Sequence, residues 1–173
     1  MKNIITFVFV AALAALAASC SNYRLAGTPV KLPFSSVYVA PVKNVSYAAQ
    51  ASNLLTNAIV QSLNQVPNLH TAYKDDAQAV LETRIIEYKK IPVATNASDT
   101  ALAASYAMEA VAECTLKRAN GGIIFKDRKV RARVMLYTSD NGVNDVLGNE
   151  YQNMPVLMRE LGGKIKDAVI GIW

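Results

Sequence analysis

The sequence predicts a two-layer α/β sandwich of the α+β kind, with two helices packed on one face of a mixed sheet of about four strands. Three observations carry that expectation. Apolar residues recur at helical spacing over 48–66, and again over 155–172. Between them, two long alternating segments flank Asn120-Gly121-Gly122, a strong hairpin signal. Helices with one apolar stripe and strands with one apolar face bury both by stacking as two layers.

The elements follow in order along the 173 residues. Lys2 precedes an uncharged apolar run of fourteen residues, Ile4 to Ala17. That suits a secretion signal and is short for a helix crossing a hydrocarbon layer of ~30 Å. Ala17-Ala18-Ser19 then lead to Cys20, a pattern that resembles the lipobox of bacterial lipoproteins, although Leu16 stands one place earlier than the usual leucine. Residues 1–19 are thus expected to be a lipoprotein signal peptide, with Cys20 the lipid-bearing first residue of the mature chain. The alternative is an ordinary signal cleaved nearby, which leaves a free cysteine. Ser21 after the cysteine fits sorting to the outer membrane by the rule known for many Gram-negative bacteria. Residues 20–35 lack periodicity and contain Gly27, Pro29 and Pro33, which suggests an extended, lipid-anchored leader before a single domain over 36–173.

Ser36 to Val42 reads as a first strand stopped by Pro41. Ala51, Leu55, Ala58, Ile59, Leu63 and Val66 form one helical stripe, closed by Pro67. A short strand is expected over Leu69 to Tyr73, a longer one over Ala79 to Lys89, and a flexible connection over 91–104. The hairpin strands are Ser105 to Ala119 and Ile123 to Tyr137. Even positions 108 to 116 read Met, Ala, Ala, Cys, Leu, and 130 to 136 read Val, Ala, Val, Leu. A three-residue loop pairs even with even and puts both sets on one face. Lys126 and Arg128 break the pattern near the tip. Residues 138–153 read as a loop, and Pro155 to Ile172 as the second helix, with a bend or break expected at Gly162-Gly163.

Without the signal, 17 Lys and Arg face 13 Asp and Glu, a mildly basic balance that favours anionic partners without naming one. It does not point to nucleic acid. The odd, outward positions of the hairpin carry Glu109, Glu113, Thr115 and Lys117, then Asp127, Lys129, Arg131 and Arg133. From Lys117 to Arg133 there are seven basic residues and one acid. Lys129, Arg131 and Arg133 point the same way and could fork onto phosphate oxygens. Equally, Glu113 faces Lys129 and Glu109 faces Arg133, ordinary cross-strand pairing that leaves only Arg131 alone. Both readings stay open. His70 is the sole histidine, and Cys114 reads as a buried apolar residue. With no phosphate loop, nucleophile elbow or His-based metal cluster in the sequence, no active site, metal or cofactor is expected.

Several short runs then point to a family. They are Tyr23-Arg24-Leu25-Ala26-Gly27, Leu32-Pro33, Val37-Tyr38-Val39 and Asn44-Val45-Ser46 before the first helix. Asp76 to Tyr88, Tyr106 to Thr115, and Glu150-Tyr151 before the last helix follow in the same order. In order and spacing, behind a lipobox, these resemble the LptE family of lipopolysaccharide-assembly lipoproteins. The resemblance implies a non-enzymatic protein that sits inside the LptD β-barrel, plugs its lumen, helps it assemble and assists delivery of lipopolysaccharide. It also implies attachment to the outer membrane through the lipid, with the domain on the periplasmic side and in the barrel lumen. Arg84, Lys129, Arg131 and Arg133 are candidate lipopolysaccharide contacts from geometry, not from the family. The alternative is a periplasmic lipoprotein adaptor docking on a peptidoglycan enzyme or another secretion machine.

Overall fold

Alternating apolar and polar residues make three long strands here, and everything else is arranged around them. The computed structural model describes residues 32–48, 50–95, 103–137 and 143–171. The expected signal, Cys20 and most of the expected leader lie outside them. The strands are β1 (Ser36–Val39), β2 (Lys43–Asn44), β3 (His70–Thr71), β4 (Ala79–Thr95), β5 (Ala103–Arg118) and β6 (Ile123–Tyr137). The helices are α1 (Ala51–Asn64) and α2 (Val143–Ile170).

The six strands form one mixed sheet in the order β3-β1-β4-β5-β6, with β2 also on β4. β1 and β2 run parallel to β4, and β4, β5 and β6 are successively antiparallel. The strand count exceeds the expected four for local reasons. Pro41 ends β1, but the chain resumes pairing at Lys43 and Asn44, so the first expected strand becomes two. Val42 between them donates its backbone N–H to Thr56 Oγ1 of α1 at 3.1 Å.

Both helices lie on one face. Ala51, Leu55, Ala58, Ile59 and Leu63 of α1 meet Leu157, Met158, Leu161, Ile165 and Val169 of α2 over a sheet face of Val37, Leu81, Ile85, Met108, Ala110, Ala112 and Leu116. All five even positions from Met108 to Leu116 are buried, as the alternation requires. Asn44 and Ser46 direct the chain into α1. The Asn44 side-chain amide donates to the Ala48 carbonyl at 2.7 Å, and its oxygen accepts the Ser46 backbone N–H at 2.8 Å.

Three expectations are corrected. The connection over 91–104 is mostly sheet, since β4 reaches Thr95 and β5 begins at Ala103; residues 96–102 lie outside the described ones. The loop over 138–153 is largely helix, because α2 begins at Val143 and runs through Pro155, giving up one backbone hydrogen bond there. Nor does α2 break at Gly162-Gly163. A Cβ on Gly162 would lie 2.9 Å from the backbone carbon and the Cβ of Ala58, whereas one on Gly163 would meet nothing. Gly162 is where the two helices touch.

Bulges in β4 and β6 shift which residues face the core. Pairing slips between Ile85 and Glu87, so β4 buries Leu81, Thr83 and Ile85 before the slip and Tyr88 after it. A second bulge on β6 centres on Asp127, whose φ of 52° is left-handed. Past it Phe125, not Lys126, faces inward, which accounts for the broken pattern at the tip. Arg128 reaches across to donate to the Ala168 carbonyl near the end of α2 at 3.1 Å and lies 5.0 Å from the Phe125 ring centroid.

Candidate functional site

The sheet face away from the helices is built from rows of three residues, one each on β4, β5 and β6. Register fixes the rows: Arg84, Glu113 and Lys129; then Glu87, Val111 and Arg131; then Lys89, Glu109 and Arg133; then Ile91, Ala107 and Met135. Because β5 is central, long side chains from both neighbours lean over it. Val111 and Ala107 are therefore buried although they point away from the core.

The expected cross-strand register is observed, with Glu113 opposite Lys129 and Glu109 opposite Arg133. The expected ion pairs are not. Glu113 turns to β4 and binds Arg84 at 2.6 Å, while Glu109 reaches diagonally to Arg131 at 3.5 Å. Glu82 takes Lys117 at 2.7 Å, and Glu87 pairs with Lys89. Among the described residues Lys129 and Arg133 have no acidic partner. This reverses the sequence-based assignment, in which Arg131 was the odd one out. Reading the hairpin alone could not include Arg84, which competes for Glu113 from the far side.

Six cations (Arg84, Lys89, Lys117, Lys129, Arg131, Arg133) thus interleave with five acids (Glu82, Glu87, Glu109, Glu113, Asp127). The face is a charge mosaic whose uncompensated positive charge sits on β6. Its field reaches Glu87: the Lys89 hydrogen bond, aided by Arg131 and Lys129, holds that carboxyl below the usual carboxylate range despite some burial. A groove of about 720 Å³ opens beside the mosaic, between the β1–β2 turn at Pro41 and the side chains of Glu82, Arg84, Glu113, Thr115 and Asp127. Arg84, Lys129, Arg131 and Arg133 therefore share one face, but only Arg84 borders the groove.

The other singled-out side chains lie elsewhere. His70 is exposed on the short strand β3 and donates its backbone N–H to the Ser35 carbonyl at 3.1 Å. Cys114 is fully buried, with the Thr83 hydroxyl directed at its sulfur at 3.7 Å. Burial pushes its thiol up to about 11, so the unreactive thiol form prevails. Among the described residues no cluster of His, Cys, Asp or Glu could hold a metal ion, and no helix is long and apolar enough to cross a membrane.

One polar cluster escaped the sequence reading. Tyr88 Oη donates to Glu150 Oε1 at 2.7 Å, and Lys90 Nζ donates to Glu150 Oε2, also at 2.7 Å. The Tyr47 ring meets Tyr88 edge-on at 5.2 Å. Burial alone would raise the Glu150 carboxyl, but the Lys90 and Tyr88 hydrogen bonds outweigh it and hold the group below its ordinary value. Burial, with Glu150 beside it, pushes the Tyr88 phenol strongly up. The only signal was that Tyr88 and Glu150-Tyr151 both fall in runs that resemble one family, and here those runs touch. Beside the cluster lies a second groove of about 420 Å³, lined chiefly by Tyr47, Leu54, Tyr151, Met154 and Pro155.

The model of the LptE family, described as lipopolysaccharide-assembly, matches residues 34–164. The chain belongs to this family. The match spans the core from Phe34 in the expected leader to Lys164 in α2, and so includes the mosaic and the Tyr88–Glu150 contact of this LptE-family protein. No curated protein matches it by sequence. Solved structures share the fold. Lipoprotein B of Nitrosomonas europaea has a TM-score of 0.57 at 13% identity over 87% of this chain and 91% of its own. A minor lipoprotein of Acinetobacter baumannii has a TM-score of 0.50 at 11% identity, covering 81% of this chain and 93% of its own. A hypothetical protein of Chlamydia trachomatis also scores 0.50, at 14% identity over 79% and 98%.

Proposed function

We propose that this LptE-family protein is a non-enzymatic outer-membrane lipoprotein that binds and plugs an LptD-type β-barrel, helps it assemble and assists insertion of lipopolysaccharide into the outer leaflet. In this reading residues 1–19 are removed, Cys20 carries the acyl chains, and residues 20–35 tether one α/β domain to the periplasmic side of the membrane. Acyl chains contribute about 0.8 kcal/mol per buried methylene, so more than one makes a firm anchor.

The observation that carries the reading is the outer face of the sheet, on which no described helix packs. It is charged along most of its length, which suits a water-filled barrel lumen. Lys129 and Arg133 have no acidic partner among the described residues, so phosphates or acidic sugars can approach them without first breaking an ion pair. Arg131 and Arg84 supply two more cations on the same face, each already tied to a glutamate.

Binding of lipopolysaccharide to the full chain in detergent tests the site. Lys129→Glu with Arg133→Glu is expected to weaken binding about tenfold or more, the loss of roughly two charge-assisted contacts. Arg84→Gln, whose guanidinium is shared with Glu113, is expected to cost less. Unchanged binding by the double variant would remove these residues from the role.

A further inference from the structure

Among the described residues the open margins of the sheet are protected unequally. β2 and β3 are margins of only two residues each. The distal part of β4 runs beyond its pairing with β2, and there it carries Pro92 and register irregularities at Pro92/Ala94 and Ala94/Thr95. Short strands, prolines, bulges and charged side chains are what keep open edges from recruiting another strand. Past its bulge at Asp127, β6 has only the last of these. From Arg128 to Tyr137 its ten residues pair with β5 in unbroken register and contain neither Pro nor Gly. Each strand residue in a sheet directs its backbone groups toward one neighbour, so alternate residues of β6 present N–H and C=O groups outward.

Charge decides what could pair there. Lys129, Arg131 and Arg133 are exposed at alternate positions on the outer face, while Val130, Ala132, Val134 and Leu136 continue the apolar face. Two copies joined antiparallel through β6 about Arg131 would set Arg131 against Arg131 and Lys129 against Arg133, like charges directly opposite. A strand with carboxylates at alternate positions would instead meet three cations, two of them without an acid among the described residues, and would bring apolar residues over Val130 and Val134. We infer that β6 is a strand-addition site for an extended segment of a partner protein that alternates acidic and apolar residues. The site shares these cations with the lipopolysaccharide reading but adds the outward backbone groups of β6, which that reading does not need and which the N-methylated peptides below test by themselves.

The test uses the full chain in detergent and a fluorescent peptide of alternating Val and Glu, about nine residues long to match an ordinary strand. Anisotropy is expected to report binding, and a Lys-for-Glu peptide is expected to bind at least about tenfold more weakly. Lys129→Glu with Arg133→Glu, both exposed positions with circular dichroism as the folding control, is expected to weaken the Glu peptide by a similar factor. Two further peptides are decisive, one N-methylated at every Val and one at every Glu. Neither change alters charge, but in a ladder only one of the two sets faces β6. One methylated peptide is therefore expected to lose binding about tenfold or more while the other retains it. If both bind alike, or both fail, the attraction is not strand pairing and the inference is overturned. A concentration-dependent dimer that the Val-Glu peptide cannot dissociate would overturn it as well.

Discussion

Gly162 and Gly163 are adjacent in one helix, and the same substitution at each is expected to act in opposite directions. Gly in a helix interior is about 1 kcal/mol less favourable than Ala, so propensity alone makes both Gly→Ala changes stabilising. At Gly163 nothing opposes this, because a Cβ meets no atom within 4 Å. At Gly162 the Cβ falls 2.9 Å from both the carbonyl carbon and the Cβ of Ala58, and 3.1 Å from the Ile59 nitrogen. Two of these are backbone atoms that move only if α1 moves, and α1 is held by Leu55, Ile59 and Leu63, all fully buried. Overpacking of this kind costs typically 1–3 kcal/mol, and backbone contact places it toward the upper end, about 3 kcal/mol. The net loss at Gly162 is then about 2 kcal/mol against a gain of about 1 kcal/mol at Gly163. For a domain of this size that means Tm lower by about 4–8 °C and higher by about 2–4 °C respectively. Thermal unfolding of the two variants beside the parent, at one protein and detergent concentration, measures it. Equal shifts of the same sign would refute the claim that Gly162 is the contact point of the helices.

Glu150 makes stability depend on pH. Its carboxyl is depressed in the folded state, so the stability it adds is present above the unfolded carboxylate value and is lost as pH falls through the folded one. Glu150→Gln should therefore melt below the parent at neutral pH, with the gap closing below about pH 4. Tyr88→Phe removes one hydrogen bond while Lys90 keeps Glu150 paired, and chemical denaturation should show a loss of about 1 kcal/mol. Asp127→Val places a β-branched residue at φ 52° in the β6 bulge and should cost about 1–3 kcal/mol by the same measurement.

What was legible in the sequence was whatever a single element could show. The stripe Ala51, Leu55, Ala58, Ile59, Leu63 and the even positions of β5 needed only their own periodicity. The even-with-even pairing of the hairpin followed from an odd-length turn, although Lys117 faces Ile123 beside it and two shifts on β6 set the register farther out. What was illegible depended on a third partner. Glu113 pairs with Arg84 because β4 lies on the other side of β5, and no reading of the hairpin contains β4. The bulge at Asp127 surfaced only as a disturbed alternation around Lys126 and Arg128. Residues 143–153, polar and closed by a proline, look like a loop until Glu150 is seen fastened to Tyr88 and Lys90. Gly162-Gly163 suggested a break because propensity was weighed without the facing helix, whose close approach gives Gly162 its place. Of the candidate site, the common face of Lys129, Arg131 and Arg133 could be read, but not which cations had acids of their own.

We propose above that this protein works inside an outer-membrane β-barrel. The most direct test is to purify the tagged full chain from detergent-solubilised outer membranes and identify and quantify what comes with it by mass spectrometry. A single large β-barrel of the LptD type in about equal amount, as a plug in one lumen requires, is the expected result. Recovery of a peptidoglycan enzyme instead, or of no barrel at all, would contradict the account.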